Sequence, residues 1–230
     1  MKVVSDYSMA GVDWNYYNTV YKLLDFKGSW PRGMAAHIAW QDEGQWRVVG
    51  LWRDSETVDQ YFATVAIESI SRAIQLLGAV PNPQGATDVE PERNEVVNFI
   101  LGPHARRFVE IGDDSDGLAI NVLGGEPIAV QLNVGAMTRE IYAELVERIG
   151  YAASIPAGLI AHYACEVEDG MRITELWTGS GHALATLGET VLPAIDKLAF
   201  AGGVDLPCDH TTHELRRMLF GEEVVAAFGY

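Results

Sequence analysis

Two histidines, His37 and His162, are the side chains of this sequence best suited to acid–base chemistry, and they lie 125 residues apart. Each one ends a Pro-x-Gly-x-x-x-His pattern, so the two occupy matching places in two similar segments. Imidazole titrates near neutral pH, so it can accept a proton from a bound molecule or donate a hydrogen bond to it. The alternative is that each histidine bonds a backbone group and supports the fold. Both interpretations stay open, and His37 and His162 are the candidate catalytic residues.

Aromatic side chains near these histidines are the candidate ligand contacts. Trp52 and Trp177 match each other across the two segments, where a tryptophan can line a cavity or pack against a helix. Trp40 and Tyr163 lie on predicted strands beside the histidines, and Tyr16 lies on the first predicted helix. These last three have no aromatic counterpart in the other segment. A duplicated chain often keeps a site in one half only, which favours them as ligand contacts, while burial in the core is the alternative.

The spacing of 125 residues holds without a gap from Pro31 and Pro156 to Gly78 and Gly203. The pairs that it matches include Ala36/Ala161, Arg47/Arg172, Leu51/Leu176, Trp52/Trp177, Ser55/Ser180 and Ile70/Ile195. Tryptophan and histidine are rare, so this agreement predicts a tandem duplication. We expect a first repeat over residues 1–102, a connector over 103–126 and a second repeat over 127–230.

Each repeat is predicted to fold as strand, helix, strand, strand, helix, strand. Asp13 and Thr138 precede helical patterns and are expected to cap the first helices. A tight acidic turn joins the two middle strands of each repeat in a hairpin. The predicted hairpin strands are Met34–Trp40 with Trp46–Trp52, and Leu159–Cys165 with Met171–Trp177.

The second half of each repeat is predicted to be a helix and a closing strand. Ser55 and Ser180 are the expected caps of these helices. Gly188 and Pro193 predict a kink or a short break in the later helix. The expected closing strands are Glu95–Leu101 and Glu223–Phe228, and two short extra strands are expected in the connector, at Arg107–Ile111 and Leu118–Leu123.

Helices of this kind cover one face of a four-stranded sheet and leave the other face apolar and exposed in an isolated repeat. Two repeats solve this problem by closing sheet against sheet. The predicted fold class is therefore α+β, with two ferredoxin-like βαββαβ repeats fused in one chain and their antiparallel sheets facing each other. We expect the resulting barrel to close within one chain, and a homodimer through other surfaces stays open.

The amino-acid composition narrows the classes of binding partner that we expect. A formal net charge of −16 repels phosphate backbones and anionic lipid. The chain clusters basic residues only at His104, Arg106 and Arg107, which is too little to bind nucleic acid or a membrane surface. Asp6 interrupts the mildly apolar start, and no later segment approaches a membrane-spanning length. We therefore expect no nucleic-acid partner, no membrane partner and a cytoplasmic location.

The pattern Pro-x-Gly-x-x-x-His from Pro31 to His37, followed by Trp-Arg-Val-Val-x-x-Trp-x-x-Ser from Trp46 to Ser55, carries a family resemblance. It resembles the dimeric α/β-barrel superfamily of antibiotic-biosynthesis-monooxygenase-like proteins, and it is most similar to actinobacterial members of unassigned function. The resemblance covers nearly the whole chain, taken twice. It implies the fold described above. The superfamily also holds stress-responsive proteins, isomerases, cyclases and haem enzymes, so it implies no single activity.

In the cofactor-independent monooxygenases of that superfamily, a tryptophan at the end of the third strand and an asparagine four residues earlier hold a polyphenolic substrate. The tryptophan matches Trp52 and Trp177. Val48 and Ile173 stand at the asparagine positions, and neither can hydrogen-bond an enolate. The resemblance thus supports an aromatic wall and departs from the family at the polar residue.

Three local patterns resemble cofactor or metal motifs and fail on inspection. Gly179-Ser180-Gly181 is followed by Leu184 where a dinucleotide loop needs its third glycine. The acidic turn around Asp114 lacks the first and last ligands of a calcium loop. The set Cys208-x-His210-x-x-His213 offers ligands that zinc can use, but it falls in a predicted loop before a short helix capped by Thr212. We expect no cofactor and no metal site.

These observations predict an α/β-barrel protein that binds a small apolar or aromatic molecule. Cofactor-independent oxygenase, isomerase or cyclase chemistry on that molecule stays open, with His37 or His162 taking a proton from a phenol or an acidic carbon. The alternative is a non-enzymatic, structural or stress-related binding protein with a filled barrel. The sequence does not show whether the interior is hollow.

Overall fold

The structure is a computed structural model that describes residues 2–26, 28–42, 44–78, 91–106 and 126–221. The chain divides into two compact units. The first unit contains the described residues up to Arg93 together with those from Arg216 onward, and the second unit runs from Asn94 to Leu215. The predicted connector strands and the predicted strand Glu223–Phe228 lie outside the described residues.

The first unit begins with a strand, a helix and a hairpin, and continues with a helix that contains one π-helical turn. Its elements are β1 (Val3–Ala10), α1 (Trp14–Leu24), β2 (Met34–Asp42), β3 (Gln45–Trp52), α2 (Ser55–Tyr61), a π-helical turn (Phe62–Ala66) and α3 (Ile67–Leu77). Asp13 caps α1 by accepting a hydrogen bond from the backbone N–H of Tyr16, as its position in the sequence predicts. The α1 and α3 helices pack together, and Tyr17 and Ala73 meet Trp46 in one buried cluster.

The elements of the second unit are β4 (Glu92–Leu101, from Asn94 on), a 3₁₀ turn (Pro103–Arg106), β5 (Ile128–Gly135), α4 (Arg139–Ile149), β6 (Leu159–Val167), β7 (Gly170–Trp177), α5 (Ser180–Thr186), a π-helical turn (Leu187–Val191), α6 (Leu192–Gly202) and β8 (Cys208–Phe220, up to Leu215). From β5 onward, the second unit repeats the order of strands and helices seen in the first unit. Thr138 caps α4 as predicted. The core of this unit includes Leu132, Leu145 and Ile195, and each such fully buried side chain contributes about 1.5–3 kcal/mol.

The hydrogen-bonded order of the strands is β1-β3-β2-β8-β5-β7-β6-β4, which is a closed antiparallel barrel. The predicted α+β fold class is thereby confirmed. Both predicted hairpins are present. In the first, Asp42 pairs with Gln45 next to the turn, and His37 lies opposite Gly50. In the second, Val167 pairs with Gly170, and His162 lies opposite Glu175.

The spacing of 125 residues is visible in the elements as well as in the sequence. The starts of β1, α1, β2, α2, the first π-helical turn and α3 each lie 125 residues before the starts of β5, α4, β6, α5, the second π-helical turn and α6. Gly33 and Gly158 both adopt a left-handed φ, of 80° and 84°. A Cβ at either glycine would overlap the helix that follows the hairpin, so the repeated glycine lets β2 and β6 begin close to that helix.

The helices after the hairpins differ from prediction in two respects. Ser55 and Ser180 are the first helical residues, and the capping positions are Asp54 and Gly179. A π-helical turn interrupts the helix in both units, and the first one contains neither glycine nor proline. Gly188 and Pro193 are therefore not required for the break. Such π-helical turns inside α-helices are frequent at functional sites.

The closing strand of the second unit is also different from prediction. Cys208–Phe220 forms one long strand, so the expected loop and the Thr212 helix cap are wrong. Residues 208–214 pair with β5. The backbone N–H of Gly221 donates to the carbonyl of Ala35, and that of Gly102 donates to Ile160, the residue 125 positions after Ala35. These equivalent bonds place Gly221 and Gly102, and the strands that precede them, at matching positions.

A capping test follows from the position of Asp54. Its side chain accepts a 2.9 Å hydrogen bond from the backbone N–H of Thr57, whereas Ser55 lies inside the helix. We expect Asp54→Ala to lower the midpoint of thermal unfolding, because one N–H at the start of α2 loses its acceptor. Ser55→Ala is the matched control and should change the midpoint less. Equal midpoints for the two variants would mean that Asp54 does not stabilise the helix.

No helix among the described residues is long and apolar enough to cross a membrane.

Candidate functional site

The second unit holds a continuous chain of buried hydrogen bonds around His162. The hydroxyl of Tyr142 on α4 lies 2.7 Å from His162 Nε2, and His162 Nδ1 lies 3.0 Å from Glu175 Oε1. The indole N–H of Trp177 donates to Glu175 Oε2 at 3.2 Å. Asn98 on β4 donates to the Tyr142 hydroxyl oxygen at 3.1 Å. Both His162 and Glu175 are 1% exposed, so the histidine and the carboxylate are sealed from solvent, whereas Asn98 at the end of the hydrogen-bonded chain is half-buried.

The order of donors in this chain follows from its ends. Asn98 donates to the Tyr142 oxygen, which leaves the hydroxyl hydrogen for His162 Nε2. The proton on His162 then sits on Nδ1 and is donated to the Glu175 carboxylate. Every polar atom of the imidazole thus has a partner within the chain. Such a closed arrangement holds side chains in place and leaves no group for a ligand.

The first unit repeats the tyrosine and the histidine but not the carboxylate. The Tyr17 hydroxyl lies 3.0 Å from His37 Nε2. Gly50 lies opposite His37, where the second unit has Glu175 opposite His162. In the part of the chain that the structure describes, the hydrogen bond to Tyr17 is the one that His37 makes. The Nδ1 side of its ring therefore faces the place that a carboxylate fills in the second unit.

The absence of a side chain at Gly50 also changes the neighbouring tryptophan. The indole N–H of Trp52 donates to the Ser5 hydroxyl at 2.8 Å, whereas Trp177 donates to Glu175. A Cβ added at Gly50 would overlap the indole nitrogen of Trp52 and crowd the Ser5 hydroxyl. Ser5 corresponds to Val130, which cannot accept a hydrogen bond. Ser5 and Gly50 therefore act together: one gives the Trp52 indole an acceptor, and the other leaves room for it.

A cavity of about 90 Å³ opens beside His37, between the strands of the first unit and its helices. Gly50, Ser5 and Trp52 lie along its wall with His37. The remaining lining residues are Tyr7, Met9, Tyr16, Tyr17, Val20, Tyr21, Leu24, Met34, Val48, Tyr61, Phe62, Ala66 and Ile70. A single water needs only about 10–15 Å³, whereas a cavity that binds benzene measures about 150 Å³. The space suits a molecule of a few carbon atoms or, with small adjustments, one ring.

Three tyrosines that line this apolar cavity, Tyr7, Tyr16 and Tyr61, have a buried hydroxyl without a hydrogen-bond partner among the described residues. Tyr16 is 4% exposed and Tyr61 is 8% exposed, and neither hydroxyl has a hydrogen-bond partner among the described residues. Burial raises the pKa of both tyrosines, so both hydroxyls stay protonated and can donate. A buried hydroxyl without a partner costs about 1–3 kcal/mol. A ligand with an acceptor oxygen would remove that cost.

The electrostatics of His37 differ from those of an exposed histidine. Burial, and secondly the positive charge of Arg217, lower the pKa of His37 to about 3. Arg217 is itself fully buried, with its guanidinium carbon 3.4 Å from the centre of the Tyr21 ring and a 3.1 Å hydrogen bond to Asn18. His37 is therefore a neutral imidazole at physiological pH, next to a fixed positive charge.

Arg217 and Asn98 occupy matching positions in the two units. Each lies four residues before the glycine, Gly221 or Gly102, that bonds the strand carrying the histidine. Asn98 donates to Tyr142, which is bonded to His162. Arg217 instead stacks its guanidinium over the rings of Tyr17 and Tyr21 beside His37. The second unit thus has a neutral amide and its own carboxylate, and the first unit has a cation and no carboxylate at the same places.

The sequence candidates fall into three groups in the structure. His37, Trp52 and Tyr16 lie together on the wall of the cavity. His162 and Trp177 lie in the hydrogen-bonded chain of the second unit, where their polar atoms are bonded.

The third group comprises Trp40 and Tyr163. Both are fully buried and project from the strand face opposite the neighbouring histidine, because successive side chains alternate. Neither belongs to the cavity wall. The candidates therefore lie at separate places in the fold.

A larger and more open groove of about 520 Å³ lies on the second unit, between β4 and α4. Its polar side chains already have partners. Tyr142 is bonded to Asn98 and His162, and Arg139 forms ion pairs with Glu95 and Glu166. The smaller cavity beside His37 is the stronger candidate, since its polar groups are the ones left to bind a ligand.

The Cys208, His210 and His213 set lies on β8, where it cannot converge on one ion. Cys208 and His213 are five residues apart on a strand, so their side chains point to opposite faces. His213 instead bonds the Thr211 hydroxyl at 2.9 Å. Within the described ranges, no group of three or more histidine, cysteine, aspartate or glutamate side chains could hold a metal ion.

Several site residues were not predicted from the sequence. Tyr17 and Tyr142 lie at helical spacing among apolar residues, a pattern typical of helix packing, although they lie 125 residues apart like the histidines that they bond. Glu175 and Gly50 could have been found from the hairpin turns, because counting back from each turn places them opposite the histidines. Arg217 had no local signal, since the pairing of its strand is between distant parts of the chain.

Comparison with known structures identifies the class of fold. The chain has the fold of the dimeric α/β-barrel proteins related to antibiotic-biosynthesis monooxygenases, as its sequence patterns indicated. One similar structure is a candidate monooxygenase from Fusobacterium nucleatum, with a TM-score of 0.61, 11% identity, and coverage of 95% of this chain and 94% of that one. Another, a candidate monooxygenase from Lactobacillus acidophilus, has a TM-score of 0.58 and 9% identity over 96% and 97% of the two chains. No protein-family model and no curated protein matches the sequence.

Proposed function

We propose that the cavity beside His37 binds a small, largely apolar or single-ring molecule that carries an oxygen. The observation that supports this most directly is that three tyrosines lining the apolar cavity, Tyr7, Tyr16 and Tyr61, have buried hydroxyls without a partner among the described residues. A cavity wall that served only for packing would have no need of such groups. The oxygen of the ligand would accept from these hydroxyls, and the aromatic walls would exclude water.

The chemistry open to such a ligand is proton transfer with His37. As a neutral imidazole, it can take a proton from a phenol or an acidic carbon when Nε2 donates to Tyr17 and Nδ1 is free. Removal of such a proton is a first step that cofactor-independent oxygenase, isomerase and cyclase reactions can share. Arg217, which stacks on the ring of Tyr21, would stabilise the resulting anion. The matched residues of the second unit would support the fold.

We also infer that the chain arose by tandem duplication and that a single site survives in its first half. The recurrence of the elements at 125 residues supports the duplication. The hydrogen-bonded chain around His162 supports the loss of a site in the second repeat, or its absence from the start. Repeat boundaries at residues 1–102 and 127–230, with a barrel closed within one chain, belong to the same proposal.

Binding can be tested with phenol as the probe, by titrating the full chain and following tryptophan fluorescence. We expect quenching that saturates, since Trp52 lies on the cavity wall. Ala66→Leu should weaken binding by about tenfold or more, because overfilling a packed space costs about 1–3 kcal/mol. Val65→Leu, one residue away on the exposed side of the same π-helical turn, is the matched control and should bind as the wild type does.

The competing class is a non-enzymatic protein that uses its surface rather than this cavity. It predicts that neither phenol nor any other small molecule with an oxygen binds saturably, or that the Ala66→Leu and Val65→Leu variants bind phenol equally. Either outcome would remove the ligand-binding proposal.

A further inference from the structure

The second unit shows what a filled version of the first site looks like. At His162 the place beyond Nδ1 is taken by the Glu175 carboxylate, which also accepts from Trp177. At His37 the residue opposite is Gly50, the Trp52 indole nitrogen lies where a Cβ of residue 50 would be, and His37, Gly50 and Trp52 all line the cavity. Beyond its Cα, a glutamate side chain is a propionate group. The first unit therefore lacks one propionate group relative to the second, and a cavity lies beside His37 and Gly50.

The charges of the two units point the same way. The second unit has the Glu175 carboxylate and, at the matched strand position, the neutral Asn98. The first unit has no carboxylate at Gly50 and carries the guanidinium of Arg217 instead. The first unit thus lacks one negative charge and has one additional positive charge at corresponding places. Arg217 would attract a monoanionic ligand beside His37. No charged side chain would then be needed in the cavity wall itself.

The geometry points to a small apolar carboxylic acid as the ligand of the first-unit cavity, with its carboxylate beside His37 in the place that the Glu175 carboxylate takes beside His162. When His37 carries its proton on Nδ1, as His162 does, this Nδ1–H donates to one ligand oxygen. The hydroxyls of Tyr16 and Tyr61 are further donors on the cavity wall. The apolar part of the acid lies against side chains such as Met9, Val48 and Phe62. This inference rests on the proposed function, since it names the ligand class of the same cavity.

Ser5 and Gly50 are then the residues that decide whether the site is open or filled. Ser5 gives the Trp52 indole an acceptor on β1, and Gly50 leaves room for the indole beside the cavity. The second unit has Val130 and Glu175 at these positions. Introducing the second-unit residues together, as Ser5→Val with Gly50→Glu, should therefore fill the first site with a carboxylate of the chain itself.

The test is calorimetric titration of the full chain with matched acids and amides: propionate against propionamide, butyrate against butyramide, and benzoate against benzamide. Hydrogen bonds to a charged group are stronger than those to a neutral one, so we expect the best acid to bind about tenfold or more tightly than its amide. The Ser5→Val, Gly50→Glu double variant should lose acid binding. His37→Phe keeps a ring in place and removes the donor, so it should abolish the preference for acid over amide, and this variant keeps the test decisive if the double variant does not fold.

A reciprocal experiment uses the second unit. Glu175→Gly removes the propionate group and should lower the midpoint of thermal unfolding, and added propionate should restore more of that loss than propionamide does. Equal rescue by propionamide would show that a free carboxylate does not take the place of Glu175, and would overturn the comparison on which the inference depends.

The outcomes separate this inference from the proposed function. If phenol binds while acids and amides bind equally, the carboxylate inference fails and the cavity remains a ligand site. If acids bind the wild type and the double variant alike, the acid lies elsewhere and the inference also fails. If neither phenol nor any acid binds, both proposals fail together.

Discussion

Replacing Glu175 by leucine is expected to remove about 3 kcal/mol or more from the free energy of unfolding. Two buried donors, His162 Nδ1–H and the indole N–H of Trp177, lose their acceptor at once. Each buried donor left without a partner costs about 1–3 kcal/mol. Leucine is of similar size, so the loss arises from the polar groups rather than from a cavity. Unfolding in urea, monitored by fluorescence and circular dichroism, measures the change.

Matched variants assign this effect to the hydrogen bonds. Glu175→Gln keeps one carbonyl oxygen and should lose about half as much stability. Ser5→Ala in the first unit deprives one buried donor, Trp52, of its acceptor and should cost about 1 kcal/mol. Glu168→Gln, at an exposed turn, should change little. A Glu175→Leu protein as stable as the wild type would show that the hydrogen bonds around His162 do not stabilise the second unit.

Local sequence signals predicted most of the fold because they set most of the elements. Alternating apolar residues on both sides of a short acidic turn specify a hairpin through neighbouring residues alone, and both hairpins are present. Asp13 and Thr138 cap their helices through contacts three residues away. The duplication strengthened each prediction, since a pattern seen twice at one spacing is harder to produce by chance.

The closing strand could not be predicted in the same way. Residues 209–212 are all exposed, so β8 shows no alternation of buried and exposed side chains where it begins. Its strand conformation there comes from hydrogen bonds to β5, whose residues lie about 80 positions earlier in the chain. The role of Arg217 depends on that pairing and was invisible for the same reason. A buried arginine stacked on Tyr21 has no local pattern that predicts it.

For the candidate site, the repeat points to two matching histidines and does not show how their surroundings differ. His37 and His162 were predicted as equals because matching residues suggest matching roles. The structure separates them by the residue across the hairpin, Gly50 or Glu175, which the repeat does not preserve. Comparison of the two halves therefore gains most from the positions where they differ, provided that the strand register is known.

The second large effect expected is on the pH dependence of stability, through His37. In the folded chain, burial and the charge of Arg217 lower the pKa of His37 to about 3. A histidine in the unfolded chain has a pKa of about 6.5. Between these two values the unfolded chain binds one more proton than the folded chain at this residue, so the free energy of unfolding falls as the pH falls. The contribution of His37 is complete above pH about 6.5 and decreases by about 1.4 kcal/mol for each pH unit below it.

The measurement is urea unfolding of the wild type and of His37→Gln between neutral pH and about pH 5, a range over which the His37 contribution amounts to about 2 kcal/mol. Glutamine does not titrate and can still bond the Tyr17 hydroxyl, so the variant should lose less stability on acidification by about that amount. In the wild type, the ring-nitrogen NMR shifts of His37 should remain those of neutral imidazole at pH about 5. Arg217→Met removes the nearby positive charge and should raise the pKa of His37, because repulsion of the imidazolium is relieved. A wild-type His37 that takes up its proton near pH 6.5 in the folded chain would contradict both the burial of its ring and its assignment as a neutral base.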